Sequence, residues 1–259
     1  MKALGTVVAS TLIAGLVTVG TTVLPAVAQE PKPGTQTTPG TQTPGTQTTP
    51  GTQTTAATVP VYKPPLRGAP AGRVGGGTRS GSGRDMFVLS ALVPADSGLT
   101  ISEQPALYWF ISGATTLPVE VTISDPRAVQ PLLETRLPGP VQPGVHRIKL
   151  ADHGVRLAPG VAYQWSVTVI SDVNRRSRDI LAGGVIERVE APTGLREKLA
   201  QTPPSEQLPF IYAEAGLWYD ALASISDLIE IRPNDAQLQK ERSALLTQVG
   251  LPEIGEAGR

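Results

Sequence analysis

Residues 157–170 read LAPGVAYQWSVTVI and form the centre of the predicted fold. A Pro159-Gly160 turn precedes a run in which Tyr163, Trp165 and further bulky residues alternate with mostly polar ones. This period of two predicts a β-strand with one buried face. The pattern L-x-P-G-x-x-Y, with tyrosine early in the strand, is typical of a tyrosine corner. We therefore expect the Tyr163 phenol to form a hydrogen bond with the backbone of the preceding turn.

Further runs of the same kind flank this stretch, and turn sequences rich in Pro, Gly and Asp separate them. The predicted strands cover residues 87–92, 106–111, 119–124, 132–137, 145–150, 162–170 and 180–189. Short strands at a spacing of about 8–12 residues predict an antiparallel β-sandwich of immunoglobulin or fibronectin-III type. This sandwich is expected to occupy residues 86–190.

The hydrophobic period changes downstream of the strands, and residues 191–251 are predicted to be helical. Thr193 is placed to cap a short first helix. The following segment AEAGLWYDALASISDLIEIRPND resembles one tetratricopeptide (TPR) repeat, which is a helical hairpin. A capping box of Asn234 and Gln237 is expected to begin another helix, and residues 252–259 to form a disordered tail. The chain as a whole is predicted to be mainly β with a small α region.

Three segments of different composition precede the strands. Residues 1–28 combine a lysine, an apolar run and a final Ala-Val-Ala, which is typical of a cleaved secretory signal peptide. The alternative for the same run is a retained anchor helix. Residues 29–60 consist largely of a repeated PGTQTT sequence and are predicted to be a disordered linker. Residues 61–85 form a Gly- and Arg-rich arm. We expect an exported protein, periplasmic or extracellular, that is not integral to a membrane after signal cleavage.

Composition excludes several kinds of chemistry. The chain contains no cysteine, which excludes thiol catalysis, disulfides and cysteine-ligated zinc or iron–sulfur centres. The 22 basic residues balance the 22 acidic residues, and this zero net charge argues against nucleic-acid binding. No motif indicates a cofactor or a metal site.

Catalytic candidates are few. The two histidines are His146 and His153, and Asp152 precedes the second. An Asp152–His153 pair would serve a hydrolase only beside a positioned serine, and the pattern Gly-x-Ser-x-Gly is absent. We therefore expect no catalytic residues, and a hydrolase is the third alternative for the function.

The apolar stripe of the helical region predicts a binding surface. Leu217, Trp218, Tyr219, Leu222 and Ile225 exceed what one helical hairpin buries within itself. Part of this surface is expected to contact the strands, and the rest to bind a partner. The predicted function is a non-enzymatic protein–protein adaptor or envelope-associated scaffold for an unknown protein or envelope component. The rival interpretation is a hairpin that docks completely on the strands.

An alternative function places the binding surface on the sandwich. Tyr108 and Trp109 are neighbours in one predicted strand, so only one of them can face the core between the sheets. The other would be available for stacking on a carbohydrate or envelope polymer. Arg67, Arg73 and Arg79 of the arm are candidates for contacts with anions.

Five segments spread over the chain carry a resemblance to a known family. They are RGAPAGRVGGGTR at 67–79, LSALVP at 89–94, GLTISEQPALYWF at 98–110, LAPGVAYQWSV at 157–167 and YAEAGLWYDAL at 212–222. Together they resemble the cyanobacterial family called domain of unknown function 928 (DUF928). The resemblance extends over about residues 64–251. It implies an exported protein and carries over no catalytic residues.

Overall fold

The strands precede the helices along the chain, as the change of hydrophobic period predicts. The computed structural model describes residues 59–65, 72–75 and 87–257. All of these residues belong to one unit, residues 53–259. The predicted signal peptide and almost all of the predicted linker, residues 29–60, lie outside the described residues.

The predicted strands are present, and two short ones join them. In the described residues the strands are β1 Val74–Gly75, β2 Leu89–Ala91, β3 Gly98–Thr100, β4 Ala106–Ile111, β5 Val119–Ser124, β6 Leu133–Arg136, β7 Gly144–Lys149, β8 Ala162–Val169 and β9 Ile180–Arg188. The sequence does not predict β1 or β3, because two or three residues are too few to show an alternating pattern.

These strands form two sheets. The larger has the order β1-β9-β8-β5-β6, and β3 adds to the same edge of β9 as β1 does. The smaller has the order β2-β4-β7. The pairing of β3 with β9 is parallel, whereas the other strand pairs among the described strands are antiparallel. Residues 157–170 contain β8, which lies between β5 and β9.

The hydrogen bond expected for Tyr163 is confirmed. Its phenol oxygen accepts a hydrogen bond from the backbone N–H of Ala158 at 3.1 Å. The Tyr163 side chain is buried, as is Leu157 in the turn. The bond therefore ties the Pro159-Gly160 turn to the strand that follows it.

Helices occupy the remainder of the described chain. They are α1 Thr193–Ala200, α2 Leu208–Glu214, α3 Trp218–Ile231, α4 Ala236–Gln248 and α5 Pro252–Ala257. Helix α3 contacts strands β3 and β4, and most buried apolar residues of the two sheets and of α2 to α5 belong to one hydrophobic core. The predicted boundary at Glu190 therefore separates types of secondary structure but not two cores.

The cap of α4 lies one residue later than the capping box predicts. Asp235, not Asn234, occupies the N-cap position, and its carboxylate accepts hydrogen bonds from the N–H groups of Gln237 and Leu238. Aspartate and asparagine are similarly good N-caps, so the sequence pattern does not decide between neighbours of these two types.

Prolines lie at the N-termini of two helices where the sequence predicts otherwise. Pro252 is the first residue of α5, although residues 252–259 are predicted to be a disordered tail. Proline suits the first helical turn because backbone N–H groups there have no hydrogen-bond partner within the helix, so the missing N–H costs nothing. The side chain of Ile254 packs this helix against the core. Thr193 does not cap α1, because it is already helical and Pro192 holds the cap position.

Candidate functional site

The five apolar residues predicted to bind a partner lie inside the core of the chain. The side chains of Leu217, Trp218, Tyr219, Leu222 and Ile225 are at most 1 % exposed. This corrects the predicted surface, because these residues attach the helical region to the rest of the chain and are not free to bind another molecule.

Two buried hydrogen-bonded rings fix α3 on the strands. The indole N–H of Trp218 donates to the carbonyl oxygen of Leu92 at 2.8 Å. The phenol oxygen of Tyr219 accepts from the indole N–H of Trp165 at 2.8 Å and donates to the carbonyl oxygen of Val185 at 3.1 Å. Burial raises the pKa of Tyr219, so the phenol stays neutral and keeps its proton for this bond. The polar atoms of both rings are therefore satisfied without water.

Strand β3 pairs with β9 and also contacts the helices. A Cβ atom on Gly98 would lie 2.6 Å from Cε2 of Tyr219, so glycine makes room for that ring. The next residue, Leu99, packs with Leu195 of α1 and Leu217 in a small second hydrophobic cluster. The segment that follows β3 is thereby held beside α3.

A groove of about 720 Å³ remains between the helices and the strands. We call it the helix–strand groove. One wall comes from the turn at Ser205–Gln207 and from α2 and α3. The other comes from residues between 100 and 106, Tyr108 of β4, Lys149 at the end of β7 and Ala151. Its apolar helical lining includes Leu208, Tyr212, Ala223, Leu228 and Ile231.

Asp220 is a polar group in this apolar groove. It is the third residue of α3, and its carboxylate accepts hydrogen bonds from Oγ1 of Thr100 at 3.2 Å and from the N–H of Ile101 at 3.1 Å. Burial raises the pKa of Asp220 from its usual 3.8 to about 6, although these hydrogen bonds oppose the shift. The sequence interpretation missed this residue. The sequence feature that could have identified it is an acidic residue between Tyr219 and Ala221 in a mainly apolar helical stretch.

Basic side chains of β7 stand at the groove and beside it. Arg147 forms ion pairs with Asp227 and Glu230 of α3, each at 2.7 Å. Lys149 lines the groove and is exposed. The groove thus offers a carboxylate and an ammonium group within an apolar lining, an arrangement that suits a chain segment with both apolar and polar groups.

The two neighbouring aromatic residues of β4 are both buried. Tyr108 is 2 % exposed and Trp109 is 1 % exposed, so the predicted exposed stacking surface is absent at these positions. Trp109 stacks on the ring of His146, with the centroids 5.7 Å apart. Tyr108 lies near Asp227 of α3, and burial raises its pKa. Because side chains alternate along a strand, the two rings lie on opposite faces of β4. The helices cover the face that carries Tyr108.

The arginines proposed to contact anions are only partly described. Arg67 and Arg79 lie outside the described residues. The guanidinium of Arg73 donates hydrogen bonds to the carbonyl oxygens of Val249 at 3.0 Å and Val93 at 3.4 Å. These bonds attach the arm to the folded chain, and contact of Arg73 with an anion stays a prediction.

The remaining catalytic candidates lie apart from the groove lining. Asp152 and His153 are exposed in a turn at Leu150–His153. The Nε2 atom of His146 lies 2.6 Å from the carbonyl oxygen of Gln142. In the parts of the chain that the structure describes, no three His, Cys, Asp or Glu side chains come together as a metal site. The helices described there include none with the length and apolar character needed to span a bilayer.

Comparisons with known proteins agree with the resemblance noted in the sequence. A search of curated proteins finds no significant match. A family model described as Domain of Unknown Function (DUF928) matches residues 74–258. The matched residues contain the two sheets, the helices that cover them and the helix–strand groove. The chain therefore belongs to the DUF928 family.

Proposed function

We propose that this protein is a non-enzymatic adaptor or envelope-associated scaffold that binds a partner in the helix–strand groove. The observation that carries the proposal is an open groove of about 720 Å³ with a mainly apolar lining. Concave apolar sites that also carry a few polar groups, here the hydrogen-bonded Asp220 and the exposed Lys149, are typical places for binding. The helical region remains the proposed binding element, but through the groove lining, which shares only Tyr219 with the five apolar residues first predicted to bind.

We also propose a finer description of the fold. The two sheets form an immunoglobulin-like or fibronectin-III-like sandwich, and α2 and α3 form a TPR-like hairpin. The order β2-β4-β7 in one sheet and β9-β8-β5-β6 in the other supports the sandwich, together with the hydrogen bond of Tyr163. The hairpin is supported by Gly216, whose positive φ makes the turn between its helices.

The adaptor proposal includes export to the periplasm or the cell exterior. Its support is the composition of residues 1–28, which combines a basic start, an apolar run and the final Ala-Val-Ala. An exported location would place the groove among proteins and polymers of the envelope, so the envelope is the fraction in which to search for a partner.

Carbohydrate or polymer binding through the strands is the alternative function. Its sequence argument rests on an exposed ring at Tyr108 or Trp109, and both rings are buried. The described surface therefore offers this alternative no support from the residues that motivated it, and the groove carries the first proposal.

A groove-filling substitution tests the proposal. Ser224 lines the groove and is partly buried, so Ser224→Arg would occupy the groove without changing the buried stripe of α3. The matched control is Val173→Arg, which places the same side chain in an exposed turn after β8. The wild-type chain and the control should capture the same partner from the envelope fraction, and Ser224→Arg should lose it. Equal capture by all three chains would contradict the proposal.

A further inference from the structure

Residues 59–65 lie against helices α2, α3 and α4 and belong to no helix or strand themselves. Pro60 and Tyr62 are buried, whereas Val61 and Lys63 are exposed. This alternation is that of an extended chain with one side against a surface. We call this segment the strap.

The surface beneath the strap is built from three helices and the turn between two of them. It consists of Ala213 and Glu214 of α2, Gly216, Trp218 of α3 and Gln248 of α4. We call it the strap groove. None of these residues is part of the lining of the helix–strand groove, so the two grooves are separate surfaces.

Hydrogen bonds to the backbone hold the strap. The side-chain amide of Gln248 accepts from the N–H of Tyr62 at 2.9 Å and donates to the carbonyl oxygen of Pro60 at 2.9 Å. The N–H of Lys63 donates to the carbonyl oxygen of Ala213 at 3.0 Å. Bonds to the main chain are the usual means by which a protein recognises an extended peptide, and side-chain pockets then add specificity.

Two side chains of the strap supply that specificity. The ring of Tyr62 meets the indole of Trp218 edge to face, with the centroids 5.1 Å apart. Burial raises the pKa of Tyr62 to about 12. The ammonium group of Lys63 lies 3.2 Å from a carboxylate oxygen of Glu214, in an exposed ion pair. A tyrosine followed by a lysine therefore matches an aromatic site followed by an acidic site.

The groove also requires an extended backbone close to its surface. A Cβ atom on Gly216 would lie 2.7 Å from the carbonyl oxygen of Lys63, so glycine permits the close approach of the strap. Pro64 and Pro65 restrict the preceding residues to extended conformations. A peptide with prolines at these positions loses less conformational entropy on binding than a flexible one.

We propose that the strap groove is a peptide-binding site for extended segments of the form Pro-x-Tyr-Lys-Pro, and that the strap is its resident ligand. A partner that carries such a segment competes with the strap for the groove. Because the strap is tethered, its effective concentration is on the order of millimolar. The partner segment therefore gains access when it is locally concentrated or when the strap has been released.

Cleavage after folding tests this proposal, because the chain folds with the strap in place before the tether is cut. A specific protease site is inserted between Pro65 and Gly72, the full chain is folded, and it is then cut. The probe is a labelled peptide VPVYKPP, the sequence of residues 59–65. After prolonged incubation with excess peptide, we expect the cut chain to bind it at least tenfold more tightly than the uncut chain, by fluorescence anisotropy.

Two changes show whether the contacts seen in the structure carry the binding. A peptide with alanine in place of Tyr62, and a cut chain with Gln248→Ala, should each bind at least tenfold more weakly. Gln130→Ala, on an exposed loop, is the matched control and should bind normally. A cut chain that stays folded but takes no peptide would overturn the proposal. So would a cut chain that unfolds as the strap leaves, or equal binding of the alanine peptide.

Discussion

The indole N–H of Trp165 donates a hydrogen bond to the phenol oxygen of Tyr219 at 2.8 Å. Trp165 lies in β8, and Tyr219 lies in the first turn of α3. The bond is buried and joins residues that stand 54 positions apart in the sequence. The helical region is thus tied into the core by polar contacts as well as by apolar packing.

Substitution of Tyr219 by phenylalanine should destabilise the whole chain. It leaves the N–H of Trp165 and the carbonyl of Val185 buried without these partners, at a cost of about 2–4 kcal/mol. Urea unfolding of the full chain measures this loss. The matched control is Tyr212→Phe in α2, because this tyrosine is half-buried and its hydroxyl forms no hydrogen bond within the described residues. Its removal should leave the free energy of unfolding nearly unchanged, and equal losses for the two variants would refute the role assigned to Tyr219.

The half-buried carboxylate of Asp220 should make stability depend on pH. Its pKa is about 6 in the folded chain, against a usual 3.8. Between pH 3.8 and about pH 6, the folded chain therefore keeps a proton on Asp220 that the unfolded chain has lost. The free energy of unfolding should therefore fall as pH rises from about 4 to about 6, and this contribution should level off outside that window.

Asp220→Asn isolates this contribution, because the amide keeps an oxygen for the N–H of Ile101 but does not titrate. The free energy of unfolding of the wild type minus that of the variant should fall by up to about 3 kcal/mol across the window. Urea unfolding of both chains at several pH values gives the difference. A difference that is independent of pH would show that Asp220 does not titrate in this way.

Removal of the helices should unfold the strands. A chain that ends at Glu190 loses Trp218 and Tyr219, and with them the cover over the buried carbonyl of Leu92 and the indole of Trp165. We expect aggregation, or loss of cooperative unfolding measured by circular dichroism. A truncated chain that stays soluble and unfolds cooperatively would show that the helical region is a separate module.

Export predicts a shortened protein in the envelope. Cleavage after the Ala-Val-Ala sequence would leave Gln29 as the first residue. N-terminal sequencing of the protein from the envelope fraction reads this directly. Recovery of the chain with Met1 intact in membranes would favour the retained anchor instead.

Local patterns of the sequence predict the strands that repeat an alternation and miss those that depend on distant contacts. The run through Tyr163 and Trp165 is long enough to define a strand and its buried face. Strand β3, Gly98–Thr100, is too short to show such an alternation. Its Gly98 lies against the ring of Tyr219, which belongs to a helix far along the chain.

The same limit applies to the candidate site. The sequence correctly identifies Trp218, Leu222 and Ile225 as an apolar stripe, but an apolar stripe has the same pattern whether strands or a partner cover it. The carboxylate of Asp220 accepts a hydrogen bond from Thr100, which lies 120 positions away in the sequence. No pattern within one helix indicates such a contact.

The claim that a partner occupies the helix–strand groove can be tested by photo-crosslinking in the native envelope. A photoreactive amino acid replaces Ser224 within the groove or, in a second chain, Val173 on the exposed turn. We predict a discrete crosslinked adduct from position 224 and none from position 173. No adduct from position 224, or the same adduct from both positions, would contradict the claim.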